Sequence, residues 1–287
     1  MSAANDASAD FFAQAQAQQP VKFATKEDEE EDKVPRDRWQ RPLIRQADGK
    51  MLPYSRASSF ASPLEDKTNI ANWQARQTVR GIAMRPELLN AVPDEAKGDP
   101  WAELERSTKT ALTRIAEQAQ DVAGSNLKSA LGTQIHAATE FVDLGDSLEN
   151  KFDDVEPWRR ELLIERANAY HRAVQDWGLV HDSVETFIVQ DEVKAAGTYD
   201  RRGFVPWWPE HRQTTIDVKT SSSLDFAGIA FAVQLSVYAH GELYDIATES
   251  RTPHEDMNHE QALIVHVDRH KGGPITLAKV DIAFGWS

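Results

Sequence analysis

Hydrophobic and polar positions follow a helical period through much of the first half of the chain. Apolar residues recur at intervals of three or four, which predicts amphipathic helices over residues 67–84, 101–122, 125–144 and 156–177. The last of these precedes Gly178, a typical helix stop. Residues 53–63 are serine-rich and predict a loop or short elements.

The pattern changes after residue 180. An apolar helix is predicted over residues 226–244, between the third and fourth of five short segments rich in β-branched residues. Those segments predict strands over residues 184–189, 196–201, 214–220, 262–267 and 275–282. The order of elements predicts the α/β class, with a mixed β-sheet core flanked by helices and an N-terminal helical region. We place that helical region at residues 37–124 and the core at residues 125–287.

Acidic residues are concentrated at the N-terminus. The 287-residue chain has a formal charge of −14, and eight acids against two lysines in residues 1–32 contribute −6 of it. This alanine- and glutamine-rich segment has too little apolar surface to offset the entropy of ordering, so residues 1–36 are predicted to be a disordered acidic tail. The remaining −8 argues mildly against a nucleic-acid partner, because phosphates attract Lys and Arg.

The chain contains no cysteine. This excludes disulfides, thiolate zinc sites, cysteine nucleophiles and cysteine-ligated iron–sulfur clusters. No apolar segment approaches the roughly 20 residues of a membrane span, and residues 1–19 lack the basic start and apolar core of a secretory signal. We therefore expect a cytoplasmic protein without a membrane partner.

Two carboxylates and a lysine fall on neighbouring predicted strands. Asp217 and Lys219 are two residues apart, so they project from the same face of their strand. Asp200 ends the preceding strand, after Gly197, which permits a close approach of another backbone. Converging carboxylates suit Mg²⁺ or Mn²⁺, and a lysine beside them is suited to orient water or stabilise charge on a phosphate. The alternative is an ion pair between Asp217 and Lys219 on the strand surface.

Two further pairs have the spacing of one helix face. His136 and Glu140 are four residues apart, as are Gln234 and Tyr238. The histidine and the carboxylate are able to add ligands to the same metal, or to form a hydrogen-bonded pair on the helix surface. Gln234 and Tyr238 lie on an otherwise apolar helix, of which they would ordinarily be the polar edge.

In chain order these motifs resemble the RecB-like branch of the PD-(D/E)XK nuclease superfamily. That branch has a His on a helix, Gly-x-x-Asp, Asp/Glu-x-Lys and Gln-x-x-x-Tyr. The matching segments, within about residues 125–285, are His136, Gly197-Thr198-Tyr199-Asp200, Asp217-Val218-Lys219 and Gln234-Leu235-Ser236-Val237-Tyr238. Residues 54–60 and 73–88 look like the leading region of exonucleases from phages of actinobacteria.

The resemblance implies a restriction-endonuclease-like fold and a role for each matched residue. His136, Asp200 and Asp217 would ligate Mg²⁺ or Mn²⁺, and Lys219 would orient or activate water. The catalytic set would be Asp200, Asp217 and Lys219. Gln234 and Tyr238 would contact DNA or support the site. Some family members carry a four-cysteine iron–sulfur cluster, which this cysteine-free chain is unable to bind. Glu185, predicted to open the first strand, and Glu140 are assigned as additional acidic residues of the site.

Weaker signals have structural alternatives. Arg76, Arg80 and Arg85 are suited to contact a phosphate backbone, or form a solvated helix face. Trp207 and Trp208 are suited to stack on bases, or pack their loop onto the sheet. A serine among residues 221–223 is expected to cap the following helix, with a phosphate contact as the alternative. Zinc binding is disfavoured, because the later histidines are not spaced to converge; these are His254, His259, His266 and His270.

The resulting functional hypothesis is a metal-dependent DNA exonuclease that hydrolyses phosphodiester bonds, encoded by a phage and acting in DNA recombination or processing in the host cytoplasm. One alternative is a PD-(D/E)XK endonuclease. Another is a catalytically silent DNA-end-binding protein on the same fold. The phage resemblance also suggests a single-strand annealing recombinase as partner and allows an oligomer. Strand polarity and the preference for single or double strands are not specified by the sequence.

Overall fold

The computed structural model describes residues 34–287, apart from residues 154, 210, 211, 222, 225 and 226. The predicted tail over residues 1–33 therefore lies outside the described residues. Val34 and Arg36 were also assigned to that tail, but Val34 is buried and Arg36 forms a β-bridge with Pro42. The apolar side chain of Val34 packs with Ile44 and Tyr54, so residues 34–36 belong to the folded part of the chain.

All five predicted helices are present, three of them with nearly the predicted bounds. We number the α-helices α1 Ala57–Ala61, α2 Thr68–Met84, α3 Arg106–Val122, α4 Ser125–Asp143, α5 Pro157–Trp177, α6 Gly228–Ala239 and α7 Ile282–Trp286. Helix α5 begins with a proline in its first turn and ends at Gly178, whose φ of +65° a glycine adopts readily. Helix α3 starts five residues later than predicted, and Trp101 is 93% exposed in the preceding turn.

All five predicted strands are present within a larger sheet. The strands are β1 Leu43–Arg45, β2 Met51–Pro53, β3 Ser55–Arg56, β4 Val180–Gln190, β5 Ala195–Phe204, β6 Thr214–Lys219, β7 Glu242–Tyr244, β8 Arg251–Pro253, β9 Gln261–Val267 and β10 Ile275–Asp281. The main sheet has the order β10-β9-β6-β5-β4-β7-β8, and β3 pairs with β5 beside this path. Pairing of β6 with β9 and of β3 with β5 is parallel, whereas the other pairs are antiparallel. The chain is thus of the mixed α/β type, with a multi-stranded mixed sheet flanked by helices.

Apolar side chains cover both faces of the sheet. On one face, Ile216 and Val218 of β6 pack with residues of α4, α5 and β9. On the other, Tyr199 of β5 and Ile264 of β9 pack with α6. Because β6 is covered on both sides, Asp217 in its interior is held away from bulk water.

The predicted helix over residues 226–244 is too long. Helix α6 ends at Ala239, and residues 242–244 instead form β7, which pairs with β4. The chain turns at Gly241, where an added Cβ would lie 2.7 Å from Ile188 Cδ1. A side chain at this position would clash with β4, so glycine permits the chain to turn directly from the helix into the sheet.

The N-terminal region also contains strands. Strands β1 and β2 form a separate two-stranded sheet, and β3 joins the main sheet. Residues 37–124, which were predicted to be a helical region, therefore also contain strands. Tyr54 and Ala57 of this region are buried against the core. Among the described residues, no helix combines the length and apolarity needed to cross a membrane.

Candidate functional site

The candidate site lies where β5 and β6 separate. Ladder pairing between these strands runs from Gly203↔Thr214 to Arg201↔Ile216. Beyond that point the backbone N–H of Val218 donates a hydrogen bond to Asp200 Oδ2 at 2.8 Å. The Asp200 carboxylate therefore accepts a hydrogen bond from an N–H that would otherwise bond to a neighbouring strand. This bond holds the carboxylate beside the Asp217–Lys219 segment.

Asp217 and Lys219 form the ion pair that their spacing predicts. Lys219 Nζ lies 2.9 Å from Asp217 Oδ1 and 2.8 Å from Asp217 Oδ2. The side chain of Asp217 is only 2% exposed. Burial raises the pKa of Asp217 and the charge of Asp200 adds to this, although Lys219 opposes it. Burial lowers the pKa of Lys219, but the charges of Asp217 and Asp200 outweigh burial and raise it, so the ammonium stays protonated near neutral pH.

Helix α4 brings His136 to the carboxylates. His136 Nε2 lies 3.2 Å from Glu185 Oε1, and Nδ1 lies 3.8 Å from Asp200 Oδ2. Candidate ligand atoms of His136, Glu140 and Glu185 all lie within 4.8 Å of one another. Burial lowers the pKa of His136, but its hydrogen bond to Glu185 and the charges of Asp200 and Glu185 raise it overall. Burial and the charge of Glu185 raise the pKa of Glu140.

Glu185 was predicted to open its strand, but it lies inside β4, which begins five residues earlier, at Val180. The flanking pairs Val184↔Arg201 and Thr186↔Tyr199 place Glu185 opposite Asp200 in the register. Its φ of +47° is unusual for a residue with a side chain. Such a conformation persists only where surrounding contacts hold it. Glu185 belongs to the site because its carboxylate contacts His136.

Helix α6 supports the site from the other face of the sheet. Gln234 Nε2 donates a hydrogen bond to Tyr238 Oη at 3.1 Å, which confirms that these two side chains share one helix face. Tyr238 is 4% exposed, and a Cβ on Gly197 would lie 3.3 Å from its ring and hydroxyl. The close approach predicted at Gly197 is therefore an approach to Tyr238.

Among the described residues, no contact joins the other residues that were predicted to bind DNA to these carboxylates. Arg76 and Arg80 are exposed on α2, which packs mainly against α3. Trp207 is 48% exposed, whereas Trp208 is buried in the core, as the packing alternative predicts. The predicted serine cap of α6 is wrong, because the N-cap residue is Ala227 and it makes no side-chain cap bond. Ser222 lies outside the described residues.

The four later histidines make different contacts. His266 Nε2 lies 2.8 Å from the carbonyl oxygen of Ser221, and His270 pairs with Asp268 at 2.7 Å. His259 stacks on His240, and His254 packs against Tyr199.

A buried charged cluster behind the carboxylates was not predicted. Arg201 is fully buried, and its Nε donates to Asp143 Oδ2 at 2.5 Å. Asp143 also accepts a hydrogen bond from Tyr170 Oη at 2.7 Å and lies 3.2 Å from His181 Nδ1. The available signal was an arginine at the end of a strand predicted to be covered by helices, since a buried arginine requires a carboxylate partner.

The donor set fits a divalent cation. Four carboxylates lie around His136, and their charge is not balanced by Lys219 and the paired Arg201. The four carboxylates belong to Glu140, Glu185, Asp200 and Asp217. Burial, followed by the charges of Asp200 and Glu185, raises the pKa values of Asp217 and Glu140, and a cation held by these carboxylates would favour their ionised forms. Mn²⁺ binds carboxylate oxygens together with an imidazole nitrogen. Mg²⁺ would bind the same site through the carboxylate oxygens.

Comparison with known proteins does not assign the chain to a family. No protein-family model matches the sequence, and no curated protein shows significant similarity to it. The sequence motifs and the geometry of the site therefore provide the only basis for a functional proposal.

Proposed function

We propose that this protein is a divalent-metal-dependent DNA exonuclease of the PD-(D/E)XK type. The observation that supports this proposal best is the hydrogen bond from Val218 N to Asp200 Oδ2. It couples Asp200 to the strand that carries Asp217 and Lys219, and Asp200 in turn faces His136. Two acids, a lysine and a histidine that are separate in sequence thereby meet at one point.

Each residue has a role that follows from its contacts. Asp200, Asp217 and His136 would hold Mg²⁺ or Mn²⁺, with Glu185 or Glu140 as further ligands. A bound divalent ion neutralises charge on the phosphate and lowers the pKa of a coordinated water. Lys219 retains its proton, so it acts as a hydrogen-bond donor to water or phosphate rather than as a general base.

The direction of substrate approach follows from exposure. Asp217 is nearly buried, whereas the side chain of Lys219 is 26% exposed and that of Glu185 is 34% exposed. A phosphate would therefore reach Lys219 and Glu185 from solvent, with Asp217 beneath them. The buried Tyr238 and Gln234 would support the site rather than contact DNA.

Cleavage of linear and covalently closed circular DNA tests the proposal and separates it from its alternatives. With Mg²⁺ or Mn²⁺, we expect mononucleotides to be released from linear DNA, with closed circles left intact. Cutting of circles would instead favour an endonuclease, and binding without products would favour a silent end-binding protein.

A matched pair of variants separates chemistry from binding. Lys219→Met removes the donor but keeps the aliphatic stem, so we expect lost cleavage with retained Mn²⁺ binding. Arg202→Lys serves as the control, because Arg202 pairs with Asp182 at 3.1 Å outside the carboxylate group. Undiminished cleavage by Lys219→Met would refute the assigned role of Lys219.

A further inference from the structure

The buried cluster behind the carboxylates is costly by itself. The side chains of Arg201 and Asp143 are 0% and 4% exposed, and Tyr170 is also fully buried. Transferring a charged group from water to a protein interior is unfavourable, and buried ion pairs are often no more stabilising than apolar residues of similar volume. Overall stability is therefore a weak explanation for Arg201, and its contacts indicate another.

Arg201 connects helix α4 to two candidate ligands. Its Nε donates to Asp143 Oδ2, and its Nη2 donates to Thr139 Oγ1 at 3.3 Å. Nη1 donates to the carbonyl oxygen of Asp200 at 3.0 Å and to Glu185 Oε1 at 3.4 Å. One edge of the planar guanidinium is thus fixed to the helix, and Nη1 contacts the two residues that face each other across β4 and β5.

The backbone at this point departs from regular strand geometry. Tyr199 packs against α6, whereas Arg201, two residues later, contacts α4 on the opposite face of the sheet. Side chains two residues apart normally share a face, so the alternation is broken at Asp200. The opposite residue, Glu185, has a φ of +47°. Arg201 contacts both irregular residues and is well placed to hold them.

We propose that Arg201 is a positioning residue that fixes Glu185 and Asp200 in the geometry needed to bind a divalent cation, with Asp143 and Thr139 holding Arg201 itself. This inference rests on the proposed metal-dependent function. Arg201 is completely buried and acts through these two residues, without contacting substrate.

The decisive variant is Arg201→Lys, with Arg202→Lys as the matched control. Lysine keeps the positive charge but has no planar fork, so it is unable to make all four contacts at once. We expect the affinity for Mn²⁺, measured without DNA by electron paramagnetic resonance of the free ion, to fall about 10- to 100-fold. Arg202→Lys keeps wild-type affinity, because Arg202 pairs with Asp182.

A second readout separates positioning from loss of structure. Cleavage by Arg201→Lys should recover partly at high Mn²⁺ concentration, which a misfolded protein would not show. In a Glu185→Gln background, Arg201→Lys should weaken Mn²⁺ binding less than in the wild type, since one of the two residues through which Arg201 acts has already lost its charge.

Several results would overturn the proposal. A folded Arg201→Lys protein with wild-type Mn²⁺ affinity would refute the role of Arg201 alone, provided that the wild type binds Mn²⁺ and cleaves DNA. A wild-type protein that does neither would refute the proposed function and this inference with it. If Arg201→Lys does not fold, Thr139→Val carries the test, because it removes the hydroxyl that accepts from Nη2. This hydroxyl also donates to the carbonyl oxygen of His136, so Thr139→Ser, which keeps the hydroxyl, is the control. We expect Thr139→Val to lose about fivefold in Mn²⁺ affinity, and wild-type affinity would contradict the proposal.

Discussion

The two halves of strand β5 differ in how their edges are paired. Residues 201–203 lie between β4 and β6 and form ladder pairs with both. Before them, β3 pairs only with residues 195 and 196, so that among the described strands residues 197–199 have a ladder partner on the β4 side alone. Side chains take over where the second ladder is absent: Asp200 accepts from Val218, and Tyr238 approaches Gly197.

This difference shows how a polar site is built inside a covered sheet. The backbone donors freed by strand separation need partners, because an unpaired buried N–H is unfavourable. A carboxylate satisfies one donor and remains available to a cation through its other oxygen. The paired half, by contrast, should tolerate almost no added volume, since strand backbones lie on both sides of it.

Gly203→Ala tests the paired half and should have the largest effect on stability. An added Cβ would collide with the carbonyl oxygen of Val180 and lie 2.9 Å from its carbonyl carbon. Because backbone on a neighbouring strand is unable to move aside, we expect a loss of about 3 kcal/mol or more in the free energy of unfolding. Urea denaturation measures this. Gly228→Ala is the control, since nothing lies within 4 Å of its added Cβ, and it should not destabilise the protein.

Gly197→Ala tests the separated half and should cost less. The new Cβ would lie 3.3 Å from Tyr238 and 3.5 Å from Ala57 Cβ, so side chains rather than backbone must move. We expect a loss of about 1–2 kcal/mol in unfolding free energy, together with a several-fold drop in cleavage as Tyr238 shifts. A destabilisation equal to that of Gly203→Ala would remove the contrast between the two halves.

His254 provides a pH test of the same half, because its ring packs 5.8 Å from that of Tyr199. Both ring nitrogens are buried without a hydrogen-bond partner among the described residues. Burial, with the nearby charges of Arg202 and His259, lowers the pKa of His254 to about 4. The unfolded chain, with a histidine pKa of about 6.5, therefore binds the proton first. Stability from this group is present above pH 6.5 and is lost as the pH falls towards 4.

His254→Phe should reduce this acid sensitivity. We expect the loss of unfolding free energy between pH 7 and pH 4 to shrink by on the order of 1–2 kcal/mol, less than the full pKa shift implies because the ring is partly exposed. Denaturation curves at the two pH values measure the difference. Equal acid sensitivity of the variant and the wild type would show that His254 is not the group responsible.

Much of this contrast follows from sequence periodicity. Regular alternation along β6 correctly placed Asp217 and Lys219 together, and helical spacing correctly paired Gln234 with Tyr238. Regularity is what makes such predictions possible, because a side chain's direction then depends only on its position in the element.

The parts that were missed are those where regularity fails. The positive φ of Glu185 and the broken alternation at Asp200 bury Arg201 against α4, which no period of two predicts. The turn at Gly241 was missed for a related reason, since the apolar residues before and after it, such as Ala239 and Leu243, fit a continuing helix equally well. Contacts between distant segments decide these positions, and local pattern does not encode them.

The proposed metal-dependent cleavage centre between the separated strands is tested by the rate at which Asp217→Asn releases nucleotides from linear duplex DNA. The substitution keeps the side-chain volume but removes a buried carboxylate beside Lys219. Asp182→Asn is the control, because Asp182 pairs with Arg202 away from these groups. We predict Mg²⁺- or Mn²⁺-dependent release by the wild type and the control, and a loss on the order of 10²- to 10³-fold in folded Asp217→Asn. Wild-type release by Asp217→Asn would contradict the account.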